Sequence, residues 1–216
     1  MLKDKNTKDL TDFIKSRCKK NLPGIDAHSF MIPKVGDEMF RNYTPAPDAK
    51  ESAVLLLLNF NDNSELPEII FTLRNNTISH GGQISFPGGR KDGDETAIET
   101  ALREAREEIG FASDRIEILG QLSKLYVPPS KYFITPVIAR IDDMGEMKAN
   151  PDEVDEIFKV PLGKFLQADT AKIKVMNFID QDVDVPYWDV HPTTPLWGAT
   201  AMIMSEFAAI VREYLD

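Results

Sequence analysis

The chain has little cysteine and no long apolar run. These two features exclude a protein built on disulfide bonds and one that spans a membrane with apolar helices. Cys18 is the single cysteine among 216 residues, so an internal disulfide framework is excluded and a reducing compartment is favoured. The longest apolar runs, such as Ala53 to Leu58, are far shorter than the roughly 20 residues that a membrane-spanning helix needs. The first ten residues, MLKDKNTKDL, hold no apolar core, so we expect no signal peptide and a cytoplasmic protein.

Basic residues are fewer than acidic residues. Lys and Arg total 25 against 35 Asp and Glu, which gives a formal net charge of −10 at pH 7. Binding to a nucleic-acid polymer requires a basic surface, so neither DNA nor RNA is expected as a partner. A small anionic ligand is compatible with this charge, because metal ions and a few arginines can create a local positive pocket.

The rest of the composition is ordinary for a globular protein, with 42% hydrophobic and 28% charged residues. A chain of this length can form one domain with a sizeable core and an appendage. We predict that residues 1–48 form a short amphipathic helix, over Asp9 to Lys19, followed by a proline-punctuated connector. Residues 49–216 are predicted to form the main domain.

Strand and helix patterns alternate in the main domain. Apolar patterning predicts strands over residues 52–60, 68–74, 116–125, 133–141, 172–179 and 183–188. The first two and the last two strands are expected to form hairpins across polar turns, and a helix over 197–214 closes the chain. This order is consistent with a sheet between helices.

A glutamate-rich helical segment follows the turn Pro87-Gly88-Gly89. Asp94 is expected to cap the start of this helix, and Gly110 is well placed to end it. The two adjacent glycines allow the backbone of the turn to approach a ligand or metal closely.

The helix places its glutamates on one edge, because each residue advances about 100° around the axis. Glu104 and Glu108 lie one turn apart on nearly the same line, with Glu107 to one side. The opposite edge carries an apolar stripe that is suited to packing on a sheet: Ile98, Ala101, Leu102, Ala105 and Ile109. Like charges at this spacing destabilise a helix, and a divalent cation with oxygen ligands would relieve the repulsion.

Helix geometry alone leaves two interpretations of these glutamates open. They form a metal site, or they form a solvated acidic face balanced by basic neighbours such as Arg103. The sharp helix boundaries and the double-glycine turn favour the metal site.

The segment from Gly89 to Phe111, GRKDGDETAIETALREAREEIGF, resembles the Nudix box. That pattern is G-x5-E-x7-R-E-U-x-E-E-x-G-U, where U is an apolar residue. Every fixed position is filled here, and Ala105 is a small but acceptable residue at the first U position. A pattern that fixes so many charged and glycine positions is highly specific.

The resemblance extends to the coenzyme A diphosphatase branch of the Nudix family. Residues 71–74 and 80–89 are similar to its upstream motif, residues 150–158 and 161–162 to the segment after its catalytic helix, and residues 195–201 to its terminal helix entry. The resemblance implies an α/β protein with the Nudix fold, a mixed β-sheet sandwiched between α-helices (α/β/α). An N-terminal helical or irregular extension would precede this fold.

The resemblance also implies a divalent-metal-dependent hydrolase, with Mg²⁺ or Mn²⁺ as cofactor, that cleaves a diphosphate linkage in a nucleoside diphosphate joined to another group. The favoured substrate is coenzyme A or a derivative, which would give 4′-phosphopantetheine and adenosine 3′,5′-bisphosphate. ADP-ribose or another nucleotide sugar is the alternative substrate. A nucleotide-sensing domain without catalysis is the third hypothesis, and a homodimer is left open.

The same resemblance suggests roles for individual residues. Glu104, Glu108 and Glu107 are expected to bind the metal, and the Gly88 carbonyl completes the site. Arg103 is expected to orient a carboxylate rather than to contact the substrate.

The general base and the substrate contacts are less narrowly defined. The base is a glutamate of the box, Glu107 or Glu108, or a carboxylate on the later loop, where Glu153 is favoured over Glu156. Arg74 and His80 flank the glycine turn and are expected to contact the substrate, although a lone histidine is more often structural. Both tryptophans, Trp188 and Trp197, are expected in the core.

The chain departs from the branch between Arg74 and Gly82. Relatives of that branch usually have one more residue and a second arginine there, whereas this chain has the uncharged segment Asn75-Asn76-Thr77-Ile78-Ser79. Coenzyme A carries a 3′-phosphate, and the loss of a cation would remove part of its recognition. The departure strengthens the ADP-ribose alternative and leaves the reaction type unchanged.

Overall fold

The computed structural model describes residues 7–60, 66–77, 81–111, 116–142, 145–167, 170–178 and 180–216. Its α-helices are α1 (Thr7–Arg17), α2 (Ile25–His28), α3 (Ala97–Ile109) and α4 (Gly198–Leu215). Its strands are β1 (Lys34–Val35), β2 (Glu38–Met39), β3 (Lys50–Asn59), β4 (Glu68–Arg74), β5 (Ile84–Ser85), β6 (Gly88–Arg90), β7 (Glu117–Gln121), β8 (Leu125–Val127), β9 (Tyr132–Ile141), β10 (Val154–Pro161), β11 (Ala171–Phe178), β12 (Gln181–Trp188) and β13 (Leu196–Trp197). No helix in this part of the chain is long and apolar enough to cross a membrane.

The larger sheet is mixed, with the strand order β10-β4-β3-β9-β7. Strands β3 and β9 run parallel over their full length, and the neighbouring pairs of this path are antiparallel. The short strands β5, β6 and β8 pair with β4, β3 and β9, respectively. The predicted hairpin of the first two main-domain strands is confirmed, with Leu58 opposite Ile69.

The side chains of β3 explain why the sheet lies between two helical layers. Leu56 and Leu58 belong to an apolar cluster shared with α1 and α4, whereas Leu55 and Leu57 belong to a second cluster shared with α3. Successive residues of a strand point to opposite faces, so a continuous apolar run is suited to burial on both faces. The predicted α/β/α Nudix architecture is confirmed.

A smaller sheet has the order β11-β12-β1-β2, with β13 beside β12. Strands β11 and β12 form the predicted second hairpin, from Ala171 opposite Trp188 to Phe178 opposite Gln181. The free edge of β12 pairs with β1 from the N-terminal segment, at Lys34 opposite Asp184. Sequence patterning did not predict this pairing, because β1 has only two residues and no periodicity to detect.

The N-terminal segment contributes to the core. Leu10 and Ile14 of α1, together with Met31 and Ile32, are buried in the same apolar cluster as α4. Residues on both sides of the predicted boundary near residue 48 therefore pack together, and the division itself stays a prediction.

The start of α3 differs from the prediction that Asp94 is its N-cap. The cap is Thr96, whose side-chain oxygen accepts a hydrogen bond from the Glu99 N–H, while the Glu99 carboxylate accepts one from the Thr96 N–H. This reciprocal arrangement is a capping box, and it satisfies two backbone donors at once. Gly110 ends the helix in the left-handed conformation, at φ 66°, as predicted.

Candidate active site

A glycine turn brings the start of β6 against β3 and α3. Gly88 lies opposite Val54, and its φ of 153° is in the region that favours glycine. A Cβ atom on Gly88 would overlap the Ala53 carbonyl oxygen, and one on Gly89 would overlap the Glu104 carboxylate. Both glycines are therefore needed for the turn to lie directly against the strand and the acidic helix edge.

Glu108 is the most buried carboxylate of this helix edge, with 2% of its side chain exposed. One of its oxygens accepts a hydrogen bond of 3.1 Å from the Gly88 N–H, and the other lies 3.7 Å from an Arg74 nitrogen. The pKa of Glu108 is raised to about 7, mainly by burial. Arg74 and the Gly88 N–H act to lower this pKa, and the charges of Glu153 and Glu104 act to raise it.

Glu104 lies one turn earlier and is mostly buried. Arg103 donates a hydrogen bond of 2.9 Å to its carboxylate. Burial raises the pKa of Glu104, Arg103 opposes this, and the charges of Glu107 and Glu153 add to the increase. The charge of Glu153 therefore disfavours the ionised forms of both Glu104 and Glu108, which is the electrostatic setting that a bound cation would relieve.

Arg103 connects the helix to the loop before it. Its guanidinium donates two hydrogen bonds to the two oxygens of Glu95, at 2.8 and 3.1 Å, and one of 3.0 Å to the Arg90 carbonyl. A third nitrogen is shared between Glu104 and Glu107. The hydrogen bonds from Arg103, together with those from Asp92 and Thr100, lower the pKa of Glu95 to about 2. The geometry fixes the position of Arg103, consistent with its predicted orienting role, which stays a prediction.

A cavity of about 520 Å³ opens in front of this helix edge. Its charged lining consists of three carboxylates and three guanidinium groups: Glu104, Glu108, Glu153, Arg41, Arg74 and Arg90. The rest of the wall is mainly apolar. Such a cavity, apolar with a few convergent charged groups, is typical of a site for a small ligand.

The structure places the predicted site residues unequally. Glu104, Glu108, Glu153, Arg74 and Gly88 all line the cavity. Glu107 does not appear in its lining; its side chain is 54% exposed and pairs with Arg103. His80 lies outside the described residues.

Glu153 is brought to the site by backbone pairing after Arg74. The Asn75 N–H donates a hydrogen bond of 2.9 Å to the Glu153 carbonyl, next to the point where β10 pairs with β4 at Val154 opposite Arg74. The loop residue thereby joins two helix residues at one cavity, although they are some fifty positions apart in the chain.

The carboxylates that line the cavity have the chemistry of a divalent-cation site. Among the described residues, no three acidic, histidine or cysteine side chains already converge at metal-binding geometry. The donor set is nevertheless suited to a hard cation, because Glu104, Glu108 and Glu153 face one cavity and their charges repel. Because Gly89 has no side chain, the Glu104 carboxylate can lie directly beside the turn. The chemistry of these residues fits a divalent metal.

Sequence reasoning missed the part of the cavity that comes from distant segments. Trp197 was expected in the core, but it is only partly buried and lines the cavity, whereas Trp188 is buried as predicted. Arg41, Phe40 and Phe178 also line the cavity, and no local motif surrounds any of them. The pairing of the N-terminal strands with β12 places Phe40 beside Phe178 of β11.

Comparison with known proteins identifies the family. The NUDIX domain model matches residues 49–179. The chain is 35% identical to the uncharacterized Nudix hydrolase NudL of Photorhabdus laumondii, over 68% of this chain and 78% of that protein. It is 36% identical to the human mitochondrial coenzyme A diphosphatase NUDT8, over 66% of this chain and 62% of that protein.

The fold comparison agrees. A Nudix hydrolase of M. smegmatis, RenU, superposes with a TM-score of 0.54 at 16% identity, covering 76% of this chain and 87% of that one. At this identity the likeness supports the fold alone. The family match, the filled Nudix box and the helix edge facing the cavity agree with one another, and the chain is a member of the Nudix hydrolase family.

Proposed function

We propose that this chain hydrolyses the diphosphate bond of coenzyme A or a close derivative, with Mg²⁺ or Mn²⁺ as cofactor. The observation that carries the proposal is the convergence of Glu104, Glu108 and Glu153 on a cavity that also receives Arg74 and Arg90. The carboxylates are suited to a divalent cation and the arginines to phosphate oxygens. The products would be 4′-phosphopantetheine and adenosine 3′,5′-bisphosphate.

Glu104 and Glu108 are the proposed principal metal ligands. The buried Glu108 is held by the Gly88 N–H, and Glu104 is held by Arg103. Glu153 is better placed than Glu107 to add a third carboxylate, because it lines the cavity. A bound Mg²⁺ would polarise a phosphoryl oxygen and lower the pKa of a water molecule. The predicted carbonyl contact from Gly88 remains part of the proposal.

Arg74 is proposed to contact the diphosphate. Its side chain is 24% exposed, and its Nε is buried without a hydrogen-bond partner in the described structure. A buried donor without an acceptor is costly, and a phosphate oxygen would satisfy it. The neighbouring Glu153 is the proposed general base, with Glu107 and Glu108 as the alternatives within the box.

The choice of coenzyme A is supported by two observations. The human relative is named as a coenzyme A diphosphatase. The cavity combines charged groups at the helix edge with a mainly apolar wall, which is compatible with a substrate that has both a diphosphate and long organic arms. ADP-ribose is the second candidate, because residues 75–79 lack the branch's second arginine. The cytoplasmic location and a homodimer stay predictions.

A substrate comparison tests the proposal. Purified protein is incubated with coenzyme A or ADP-ribose in the presence of Mg²⁺, Mn²⁺ or EDTA, and the products are separated by chromatography. We expect metal-dependent formation of 4′-phosphopantetheine, with a higher kcat/KM for coenzyme A than for ADP-ribose. Preferred cleavage of ADP-ribose would select the second candidate. Tight nucleotide binding without any cleavage would instead select the sensing hypothesis.

A further inference from the structure

The cavity wall includes one arginine that the Nudix motifs do not explain. Arg41 belongs to the N-terminal segment, and its guanidinium lies over the Phe40 ring, 4.6 Å from the ring centroid. It lines the same cavity as the helix glutamates. Among the described residues it has no ion pair with any carboxylate, unlike Arg74 and Arg103. Its charge is therefore available to a ligand.

Arg41 is held at the end of a row of three aromatic rings. The Phe40 and Phe178 centroids are 5.4 Å apart, and the Phe178 and Trp197 centroids are 6.1 Å apart. The three rings come from the N-terminal segment, β11 and β13, and all of them line the cavity. Each ring is partly exposed, so ring surface remains for a planar ligand group.

The chemistry of this group indicates a particular ligand part. A guanidinium that is stacked on a ring keeps its planar donors free, and these donors match two oxygens of a phosphate. Aromatic rings beside it provide a stacking surface for a purine base. A purine nucleoside that carries a phosphate monoester on its ribose, beyond the scissile diphosphate, presents both features together.

We infer that Arg41 and the row Phe40–Phe178–Trp197 recognise the adenosine 3′-phosphate end of the substrate. This inference rests on the proposed function, because it assigns the nucleotide end of the same site. Arg41 thereby supplies, from the N-terminal segment, the cation that residues 75–79 lack. The N-terminal segment becomes a specificity element rather than an appendage.

The first test compares coenzyme A with dephospho-coenzyme A, which lacks only the 3′-phosphate. The wild-type protein should have the higher kcat/KM for coenzyme A. In Arg41→Gln the ratio of the two kcat/KM values should fall by about 10- to 100-fold, because a charge-assisted contact to the 3′-phosphate is lost. Arg41→Lys keeps the charge without the planar fork and should give an intermediate ratio.

Lys34→Gln is the matched control, since it removes one positive charge from the same segment at a residue outside the cavity lining. It should keep the wild-type ratio. An equal fall in Lys34→Gln would show a general charge effect and would overturn the assignment of Arg41. An unchanged ratio in Arg41→Gln would overturn it as well.

The second test measures binding without turnover. Calorimetry compares adenosine 3′,5′-bisphosphate with AMP, and the wild-type protein should bind the bisphosphate more tightly. Arg41→Gln should abolish this preference. Phe178→Leu should lower the affinity for both nucleotides to a similar degree, because it removes ring surface. Equal wild-type affinities for the two nucleotides would contradict the inference, even if coenzyme A is hydrolysed. A lack of hydrolysis with the binding preference intact would reject the proposed function alone.

Discussion

Glu108 combines deep burial with the charges of Glu104 and Glu153 around it, so we propose that its carboxylate is the group on which metal binding depends most. We expect Glu108→Gln to lower kcat for coenzyme A by several orders of magnitude with the fold intact, because a neutral amide is a poor ligand for a hard cation. The measurement is steady-state turnover at saturating Mg²⁺, with circular dichroism to verify folding.

Glu117→Gln is the control for this change. Glu117 lies in β7, where its side chain pairs with Lys15 on the surface, away from the cavity lining. Its turnover should match that of the wild-type protein. Near-normal turnover in Glu108→Gln itself would refute the metal assignment.

Arg103 is expected to act through the carboxylates that it holds. Glu95 holds two of its nitrogens, and a third nitrogen reaches Glu104. We expect Glu95→Gln to reduce kcat/KM or Mg²⁺ affinity by about 10- to 100-fold, because groups that orient metal ligands typically contribute that much. The Mg²⁺ dependence of turnover measures the effect.

A change at the neighbouring helix cap, Thr96, distinguishes a loss of Mg²⁺ affinity from a loss of stability. Thr96→Ala removes the capping hydrogen bond and should cost about 1 kcal/mol of unfolding free energy. Its Mg²⁺ dependence should remain close to that of the wild-type protein. A Glu95→Gln protein that is destabilised as much as Thr96→Ala, yet binds Mg²⁺ normally, would show that Glu95 is purely structural.

At the scale of elements, the glycine turn and α3 are built to fit each other. A Cβ at position 89 would overlap the Glu104 carboxylate, which is the movable end of a side chain held by Arg103. We therefore expect Gly89→Ala to fold but to displace Glu104, with a loss of Mg²⁺ affinity and turnover of at least about 10-fold. Calorimetric titration with Mg²⁺ reports the change.

Gly163→Ala is a suitable comparison, because a Cβ at Gly163 meets nothing within 4 Å. This variant should bind Mg²⁺ as the wild-type protein does. Undiminished Mg²⁺ binding in Gly89→Ala would mean that Glu104 is not a ligand, or that its carboxylate can move aside from the added Cβ and still bind the metal.

Several elements were predictable from the sequence, but β10 was not, and the strand expected over residues 116–125 is divided into β7 and β8. Strand β3 is apolar over six consecutive residues, and the apolar stripe of α3 has helical spacing, so their burial follows from patterning. The predicted N-cap of α3 was wrong by two residues. Asp94, Glu95 and Thr96 are adjacent polar residues, and only the reciprocal hydrogen bonds between Thr96 and Glu99 decide which one is the cap. Cap identity depends on side-chain geometry that composition does not contain.

At the scale of the whole molecule, the site could be predicted where its residues belong to the Nudix box or to the segments that resemble the coenzyme A diphosphatase branch, such as Arg74 and Glu153. The Nudix box gives Glu104 and Glu108 from one helix, and helical spacing brings them together. Arg41 reaches the same cavity through the segment whose two-residue strand β1 pairs with β12, at Lys34 opposite Asp184. Such long-range pairing leaves no periodic signal, so the aromatic row could not be predicted.

One buried carboxylate, Glu206 of α4, is hydrogen-bonded both to the N-terminal segment and to the segment between β7 and β8. It accepts hydrogen bonds from the Gly24 N–H at 2.8 Å and from the Ser123 hydroxyl at 2.6 Å, and it lies 3.1 Å from the ring nitrogen of His28. Burial acts to raise the pKa of Glu206, but the hydrogen bonds from His28, Ser123 and Gly24 outweigh it and leave the pKa below its ordinary value of 4.5.

A lowered carboxyl pKa in the folded state gives stability that is present above the ordinary value and is lost as the pH falls through the folded-state value. The unfolding free energy of the wild-type protein should therefore decrease as the pH falls below 4.5. Glu206→Gln should be less stable by about 1–3 kcal/mol at neutral pH, because an amide leaves buried donors unsatisfied. Its stability should also depend less on pH in the acidic range.

Urea unfolding between about pH 3 and pH 7 measures both effects. Glu213→Gln is the control, since Glu213 also has a lowered pKa but pairs with Arg17 at the surface, where ion pairs contribute little. If Glu206→Gln keeps the wild-type pH dependence, Glu206 does not anchor the N-terminal segment through its charge. In that case the apolar contacts of Leu10, Ile14 and Ile32 must hold the segment that carries Arg41 in place.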